Sequence, residues 1–495
     1  MLTAPFSSAP HGGVSEALAP GASSVAPNTA STFIVANRLP VEYHAVSGWR
    51  PSPGGLVSAL EPGLQGLSAV WVGWRGSPVP EDGRGPRPTR TPYTGNIAVL
   101  EVPMTEWELS QFYDGVCNAA FWPLYHDAVV DPVFRHEEFE AYRRINQRFA
   151  DCVAGSAPSG AVVWVHDYQL QLVPAMLRKA RPDLRIGFFL HVPFPSSAGL
   201  AALPWRESVL DGLMGADLVG FQTASSAERF REAAGQHRLT RRDGQGLLVS
   251  EPAGARRVQV DVFPVGPDSE RFSRLAASPA LQDAAARIRA DFGAPELILL
   301  GVDRLDYTKG IDLRIRAVAD VLMSDEFKGR DIQYIQVAVP SRSDLAAYRH
   351  LRATVDAALN KANAELSARG HRPIHYVNEV LPTEQVAALY VAADVMLVTS
   401  LADGMNLVSK EFVACRRQQD GRLVLSTAAG AAAQLGDAWL VEPNDISDLR
   451  RGIGEAMRAG TEDVRRRMGR LREAVFDADA KHWVQSFLAR LNDVP

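Results

Sequence analysis

ELILLGVDRLDYTKGI (296–311) is the stretch that decides the fold. Its first half is apolar almost without interruption and stops at two charged residues, Asp303 and Arg304. A strand apolar on every position is buried on both faces, which is the habit of parallel sheets covered by helices. In such sheets, ligands bind beyond the carboxyl ends of the strands. The polar turn that follows, with Lys309 and Gly310, therefore sits where chemistry is expected.

Working outward, the same grammar recurs. Upstream lie TFIVANR (32–38), SAVWVGW (68–74), NIAVLEV (96–102), AVVWVHD (161–167), RIGFFLHV (185–192) and DLVGFQ (217–222). A second series runs RVQVDVFPV (257–265), IQYIQVAV (332–339), PIHYVNEV (373–380), DVMLVTS (394–400), RLVLST (422–427) and AWLVEP (438–443). Segments with helical spacing alternate with them, such as LVPAMLRKA (172–180), TEQVAALYVAA (383–393) and SDLRRGIGEAMRAG (447–460). Alternating βαβ units predict a doubly wound α/β fold. The strands are too many for one compact open sheet, so two Rossmann-like domains are expected. Their bounds are set at 32–265 and 266–475, after a disordered tail, 1–31. RLTRRDGQGLLVSEPAGARR (238–257) reads as a polar excursion before the last strand of the first domain. The amphipathic segment KHWVQSFLARL (481–491), within 476–495, is free to cap either domain and is assigned to the N-terminal one.

Composition narrows the function classes. The chain has 495 residues, 46% apolar and 22% charged, with 52 Lys+Arg against 57 Asp+Glu and a net charge of −5. These are ordinary globular values and exclude a collagen, a disulfide miniprotein or a mostly disordered chain. A near-neutral balance gives no support for non-specific nucleic-acid binding, so phosphate recognition must come from a few placed cations. Cys117, Cys152 and Cys415 form no CxxC pair and read as reduced buried thiols. No apolar run reaches the roughly 20 residues of a membrane span, and the N-terminal stretch is a poor signal peptide. A cytoplasmic protein without membrane partners is expected. There is no HExxH, Cys/His cluster, GxSxG, Walker A loop or GxGxxG, so no metal and no nicotinamide cofactor is indicated.

Candidate chemistry gathers where the apolar runs stop. Asn37-Arg38, His166-Asp167, His191, Asp303-Arg304, Ser341-Arg342 and Asp403-Gly404 each follow or end a run. One such residue is usually a cap, whereas cations and carboxylates at several strand ends point to a shared polar site. Arg304 and Lys309 are spaced to converge on a diphosphate, or alternatively to pair with Asp303 or Asp306. PSPGGLVSALEPGL (51–64) places Gly54 and Gly55 before a helix-like run, fit for an anion or for an ordinary turn. DGMNLVSKEFVACR (403–416) combines Asp403, a glycine turn, backbone amides and Glu411 at a helix start. Its carboxylate can serve ribose hydroxyls or simply the helix dipole.

Taken as a set, these stretches resemble the trehalose-6-phosphate synthase family, retaining glycosyltransferases of the GT-B fold with two Rossmann-like domains facing a central cleft. The resemblance spans roughly 32–492. It rests on ANRLP (36–40), SPGGLVSAL (52–60), WVGWRG (71–76), FYDGVCNAAFWPLYH (112–126), WVHDYQL (164–170), IGFFLHVPFP (186–195), GVDRLDYTKGI (301–311), PSRSD (340–344) and DGMNLVSKEFVACR. It implies transfer of glucose from UDP- or GDP-glucose to glucose 6-phosphate with retention, the first step of trehalose biosynthesis. It implies small-molecule substrates, no bound cofactor, and a homo-oligomer, dimer or tetramer. By motif, Arg304 and Lys309 resemble the donor-diphosphate clamp, helped by Gly54 and Gly55. Glu411 resembles the ribose ligand; Asp403, Gly404, Met405, Asn406 and Leu407 the cradle of donor glucose and phosphate; and Val337 and Leu381 the nucleotide side. His191 resembles the residue holding the donor sugar near the reacting centre. Arg38, Tyr113, Trp122 and Arg342 resemble the acceptor-phosphate pocket, and Asp167 the ligand of acceptor hydroxyls. The family is described as retaining by front-face attack, without the two carboxylates of retaining glycosidases.

SSAGLAALPW (196–205) and Leu381 depart from the family pattern, which leaves acceptor contacts and donor base open. Two other readings stay open on sequence. One is a pseudo-glycosyltransferase coupling a nucleotide cyclitol to an aminocyclitol phosphate. The other is a non-catalytic sugar-phosphate sensor.

Overall fold

The computed structural model describes residues 31–44, 48–52, 55–64, 66–80, 89–91, 97–127, 130–251, 254–342 and 345–494. The expected tail lies outside the described residues up to position 30, and so does Gly54. The chain forms two units: one runs through Pro264 and regains Lys481–Pro495, the other is Val265–Ala480.

In the N-terminal unit the strands are β1 Thr32–Arg38, β2 Val41–His44, β3 Gly48–Pro51, β4 Ala69–Trp74, β5 Thr89–Thr91, β6 Ile97–Glu101, β7 Val162–His166, β8 Arg185–Leu190, β9 Leu218–Phe221, β10 Thr240–Asp243, β11 Gly246–Glu251 and β12 Gly254–Val262. Apart from the antiparallel hairpin β2–β3, they form one sheet of order β10-β11-β12-β9-β8-β7-β1-β4-β6-β5. From β12 through β6 all neighbours are parallel, and β10, β11 and β5 add antiparallel edges. The central strands are buried along almost their whole length, as in β4, AVWVGW. The polar excursion 238–257 turns out to be sheet: it builds β10, β11 and the start of β12. Edge strands are wet on their outer side, so they carry charges such as Arg241 and Arg242 and lose the apolar run that marks a central strand.

In the second unit β13 Leu297–Arg304, β14 Ile332–Val339, β15 His375–Val377, β16 Val395–Val398, β17 Arg422–Ser426 and β18 Trp439–Val441 form an all-parallel sheet of order β15-β14-β13-β16-β17-β18. The chain leaves this unit at Ala480–Lys481, past the 475/476 boundary set from sequence. The helix Thr461–Asp477 stays with it because Val464, Met468, Leu471 and Val475 are all buried. Beyond the crossing, Trp483, Val484, Phe487 and Leu491 of the helix Ala480–Asn492 are buried within the N-terminal unit. Phe487 stacks on Trp164 with ring centroids 4.2 Å apart. Gly187 of β8 makes the seat, since a Cβ there would come within 2.7 Å of the Phe487 ring. All three cysteines are buried and outside any disulfide. No helix among the described residues is long and apolar enough to cross a membrane.

Candidate active site

In the second unit β14, β13 and β16 are neighbours and parallel, so their carboxyl ends open on one side. They deliver Arg342, the Arg304–Lys309 loop and Asp403 in that spatial order. Arg304 closes β13 and is exposed, while Asp306 is completely buried. Asp306 Oδ1 accepts hydrogen bonds from the Thr308 amide (3.0 Å) and hydroxyl (2.9 Å). Its Oδ2 accepts from Arg342 Nη1 (3.0 Å) and the Tyr348 hydroxyl (2.9 Å). Burial pushes this carboxyl up, but Arg342, Arg304 and Lys309 outweigh burial and hold it well below the usual carboxylate range. One fixed anion thus gathers three cations.

Lys309 Nζ donates to Asp403 Oδ2 at 2.5 Å, and the same oxygen accepts from Asn406 Nδ2 at 3.0 Å and the Ser400 hydroxyl at 3.3 Å. Asn406 caps the helix Leu407–Cys415, its side-chain oxygen accepting from the Ser409 amide at 2.9 Å. The Gly404–Met405 backbone is clamped from behind: Gly430 N–H donates to the Asp403 carbonyl (3.1 Å) and Ala431 N–H to the Met405 carbonyl (2.8 Å). A Cβ on Gly430 would lie 2.0 Å from the Gly404 carbonyl oxygen, with no flexible side chain to yield. Gly430→Ala is therefore expected to cost about 1–3 kcal/mol of stability and to lower kcat/KM at least tenfold by displacing residues 403–406. Thermal denaturation and steady-state kinetics of the same preparation check both halves.

Glu411, on the first turns of that helix, accepts from the Tyr390 hydroxyl at 3.0 Å. Burial pushes its carboxyl up to about 7, against the opposing Tyr390 hydrogen bond. The adjacent Lys410 is buried, donates to the Val265 carbonyl (2.7 Å) and Gln434 Oε1 (2.6 Å), and is pushed down to about 7 by burial. The two act oppositely on stability. Between its ordinary pKa and 7, Glu411 keeps a proton in the folded state that the unfolded chain has lost, so stability falls as pH rises. From pH 7 towards about 10, the unfolded chain holds a Lys410 proton that the folded state lacks, so stability rises with pH. Comparison of Lys410→Met with the parent isolates the second effect. The parent is expected to gain on the variant by up to about 1.4 kcal/mol per pH unit over that window, as read from urea midpoints.

In the N-terminal unit β1, β7 and β8 are likewise parallel neighbours, and Arg38, Asp167 and His191 stand at or just beyond their ends. Arg38 lies over the Trp74 ring at 4.7 Å and pairs with Glu42 at 3.1 Å. Asp167 Oδ1 accepts the His191 backbone N–H at 3.1 Å. His191 Nε2 lies 3.1 Å from His166 Nδ1. Burial pushes the His191 imidazole down to about 3, so the ring is neutral at physiological pH. Tyr113 belongs to a π-helical segment, Ser110–Phe121, a rare form that often accompanies functional sites. Trp122 follows it, buried, with its ring 4.1 Å from His126 and 5.9 Å from Tyr168. Three residues named from sequence, Asp167 (φ 71°), Arg342 (φ 49°) and Asn406 (φ 80°), hold positive φ without being glycine. Such backbone persists where the surroundings over-determine it, most often at ligand sites.

The sites divide between the units. Arg38, Tyr113, Trp122, Asp167 and His191 belong to the N-terminal one, and Arg342 to the other with Arg304, Lys309, Asp403 and Glu411. Gly55 opens the helix Gly55–Leu64. Val337 lies inside β14 with its side chain fully buried in the core, so any ligand contact from it falls to backbone. Leu381 follows β15 and packs partly against the same core. Sequence reasoning gives Tyr348 and Lys410 no part in the site, names Asp306 only as an alternative partner of Arg304 and Lys309, and names His166 only beside Asp167 at a strand end, with no role of its own. Asp306, Lys410 and His166 stand beside chosen residues in the motifs themselves, which was the available signal; Tyr348 had none. Among the described residues, no group of three or more His, Cys, Asp or Glu is placed to hold a metal ion.

The profile of glycosyltransferase family 20 matches residues 30–493. The chain is 42% identical over 485 residues to trehalose-6-phosphate synthase of Mycolicibacterium gilvum, covering 95% of this chain and 96% of that protein. An E. coli structure described as trehalose-6-phosphate bound with UDP-2-fluoro glucose superposes with a TM-score of 0.84 at 30% identity, over 94% of this chain and 100% of that one. The alpha,alpha-trehalose-phosphate synthase (UDP-forming) of Burkholderia xenovorans, in complex with glucose-6-phosphate, gives 0.83 at 28% identity, over 93% and 99%. With strand ends that present paired cations and carboxylates on a GT-B fold, and a family match across nearly its whole length, the chain belongs to glycosyltransferase family 20.

Proposed function

We infer that the chain is a retaining hexosyltransferase that moves glucose from UDP- or GDP-glucose to glucose 6-phosphate, forming α,α-trehalose 6-phosphate and a nucleoside diphosphate. The observation that carries this is the cation set Arg304, Lys309 and Arg342 around Asp306 and Asp403 at three adjacent strand ends, in a chain so similar to trehalose-6-phosphate synthases. Departure of the nucleoside diphosphate builds negative charge on the β-phosphate. Arg304 and Lys309 are suited to stabilise that charge, preorganised by the Asp306 and Asp403 networks. The amides at Met405–Leu407 add the positive end of a helix to the same task.

In this reading Asp403 and Asn406 orient the donor sugar, Glu411 takes the ribose hydroxyls, and His191 contacts sugar at the reacting centre. Arg38, Tyr113, Trp122 and Arg342 bind the acceptor phosphate, and Asp167 its hydroxyls. Charge stabilisation comes from side chains, so the reaction is proposed to need no metal, and its rate is expected to be unchanged by EDTA. The reading includes a cytoplasmic homo-oligomer, dimer or tetramer, whose size light scattering gives. The cyclitol-coupling and sensing alternatives have no support in the relatives' names, which are those of synthases.

The deciding experiment is a donor panel. Purified protein with glucose 6-phosphate is expected to release nucleoside diphosphate and form trehalose 6-phosphate with at least one of UDP-, GDP- and ADP-glucose. No disaccharide phosphate with any of them overturns the reading.

A further inference from the structure

His191 is held from two sides by consecutive residues at the end of β7. Asp167 accepts its backbone N–H at 3.1 Å, and His166 Nδ1 faces its ring Nε2 at 3.1 Å. His166 itself is fully buried. Both rings are neutral: burial lowers His191 to about 3, and burial together with His191 lowers His166 well below the ordinary value. Between two neutral imidazoles, one nitrogen must donate and the other accept.

The wall behind His166 decides which. The C-terminal helix brings Trp483 against this corner, its ring 6.2 Å from His166, 5.7 Å from His191 and 5.2 Å from Phe189. Trp164 lies 4.5 Å from His166 and 5.0 Å from Trp483, ring to ring. Three buried polar atoms in this cluster, His166 Nε2, Trp164 Nε1 and Trp483 Nε1, have no hydrogen-bond partner among the described residues. Both indole nitrogens can only donate. A hydrogen on His166 Nε2 would add a third buried donor to two unanswered ones. A lone pair there adds no further donor to the cluster, which favours the His166 proton on Nδ1, facing His191.

We propose that His166, backed by Trp164 and by Trp483 of the C-terminal helix, is a positioning residue of the transfer reaction: it donates Nδ1–H to His191 Nε2 and so fixes the tautomer and orientation of that ring. His191 then keeps its own proton on Nδ1, leaving an N–H as the donor it offers a sugar hydroxyl. The inference rests on the reading that His191 contacts sugar. It gives the C-terminal helix a part in the chemistry beyond covering the sheet.

The test pairs kinetics with a tautomer measurement on the full chain. His166→Asn keeps an N–H donor near the place of Nδ1 and is expected to retain kcat within about threefold of the parent. His166→Leu removes the donor and is expected to lower kcat about 10–100-fold with both KM values little changed, as when the partner of a metal-bound imidazole is lost. A Leu variant as active as the parent overturns the proposal, as do Asn and Leu variants equally impaired, the mark of a structural role. In 15N-histidine-labelled parent protein, long-range 1H–15N spectra are expected to show His191 protonated on Nδ1, its signals identified by their loss in His191→Gln. An Nε2–H tautomer at His191 overturns the proposal whether or not either variant folds. A parent that forms no trehalose 6-phosphate overturns the functional reading instead, and the spectrum still decides this one.

Discussion

Arg304→Ala is expected to lower kcat/KM about 10²–10³-fold, most of it in kcat, the loss found when one preorganised charge-stabilising donor is removed. Arg304 is the exposed member of the cation set; Lys309 pairs with Asp403 and Arg342 with Asp306. Its side chain adds little to the core and acts on Asp306 from an exposed position, so the fold should lose about 1 kcal/mol or less, as for an exposed charge interaction. The pairing of large catalytic loss with small stability loss separates transition-state stabilisation from folding. Arg304→Lys keeps the charge but not the planar fork that meets two phosphate oxygens at once. It should therefore fall between parent and Ala variant rather than restore activity. Steady-state kinetics against donor concentration, with thermal denaturation alongside, read both. Activity of Arg304→Ala within tenfold of the parent removes this residue from the leaving-group machinery.

The contrast between Arg304 and its neighbours also explains what sequence could show. Strands such as β4, β8 and β13 are apolar at nearly every position because both faces are covered, so each reads as an uninterrupted run. Residues that follow those runs, Asp167, His191, Arg304 and Asp403, are conspicuous because the polarity changes abruptly there. The sheet margin lacks that contrast: the edge strand β10, TRRD, carries two arginines and its neighbour β11 ends in Ser250 and Glu251, so a polar excursion is all that composition reveals. The groups that hold the site in shape are harder still. Tyr348 sits on a long helix and reads as core, yet its hydroxyl meets Asp306. Lys410 looks like a solvated helix residue, yet it is buried against Val265 and Gln434. Local pattern does not reveal such pairings, because each joins residues far apart in the chain.

Arg314 is the extreme case, and its loss should be the largest single stability effect in this unit. It lies in the helix Ile311–Leu322, where its spacing looks like that of any helical arginine, but it is fully buried. Its guanidinium pairs with Asp303 and donates to Thr399 Oγ1 (2.9 Å), Gln336 Oε1 (3.1 Å) and the Lys309 carbonyl (3.2 Å). Burial alone would weaken its charge, but Asp303 and Tyr334 keep its pKa above the ordinary value. One side chain thus ties the ends of β13, β14 and β16 beneath the loop that carries Arg304 and Lys309. Arg314→Met keeps much of the volume but strands the Asp303 carboxylate in the interior, expected to cost about 3–5 kcal/mol. For a unit of this size that lowers Tm by about 10 °C. Activity should fall with it, because the Lys309 carbonyl loses its tether. The double variant Asp303→Leu/Arg314→Met removes both charges, and replacing a whole buried pair by apolar groups is often neutral. It should recover most of the Tm while activity stays low. Recovery of stability without recovery of rate would locate the value of this ion pair in the placement of the Lys309 loop. A double variant no more stable than Arg314→Met would show instead that the hydrogen bonds to Thr399, Gln336 and Lys309 carry the fold.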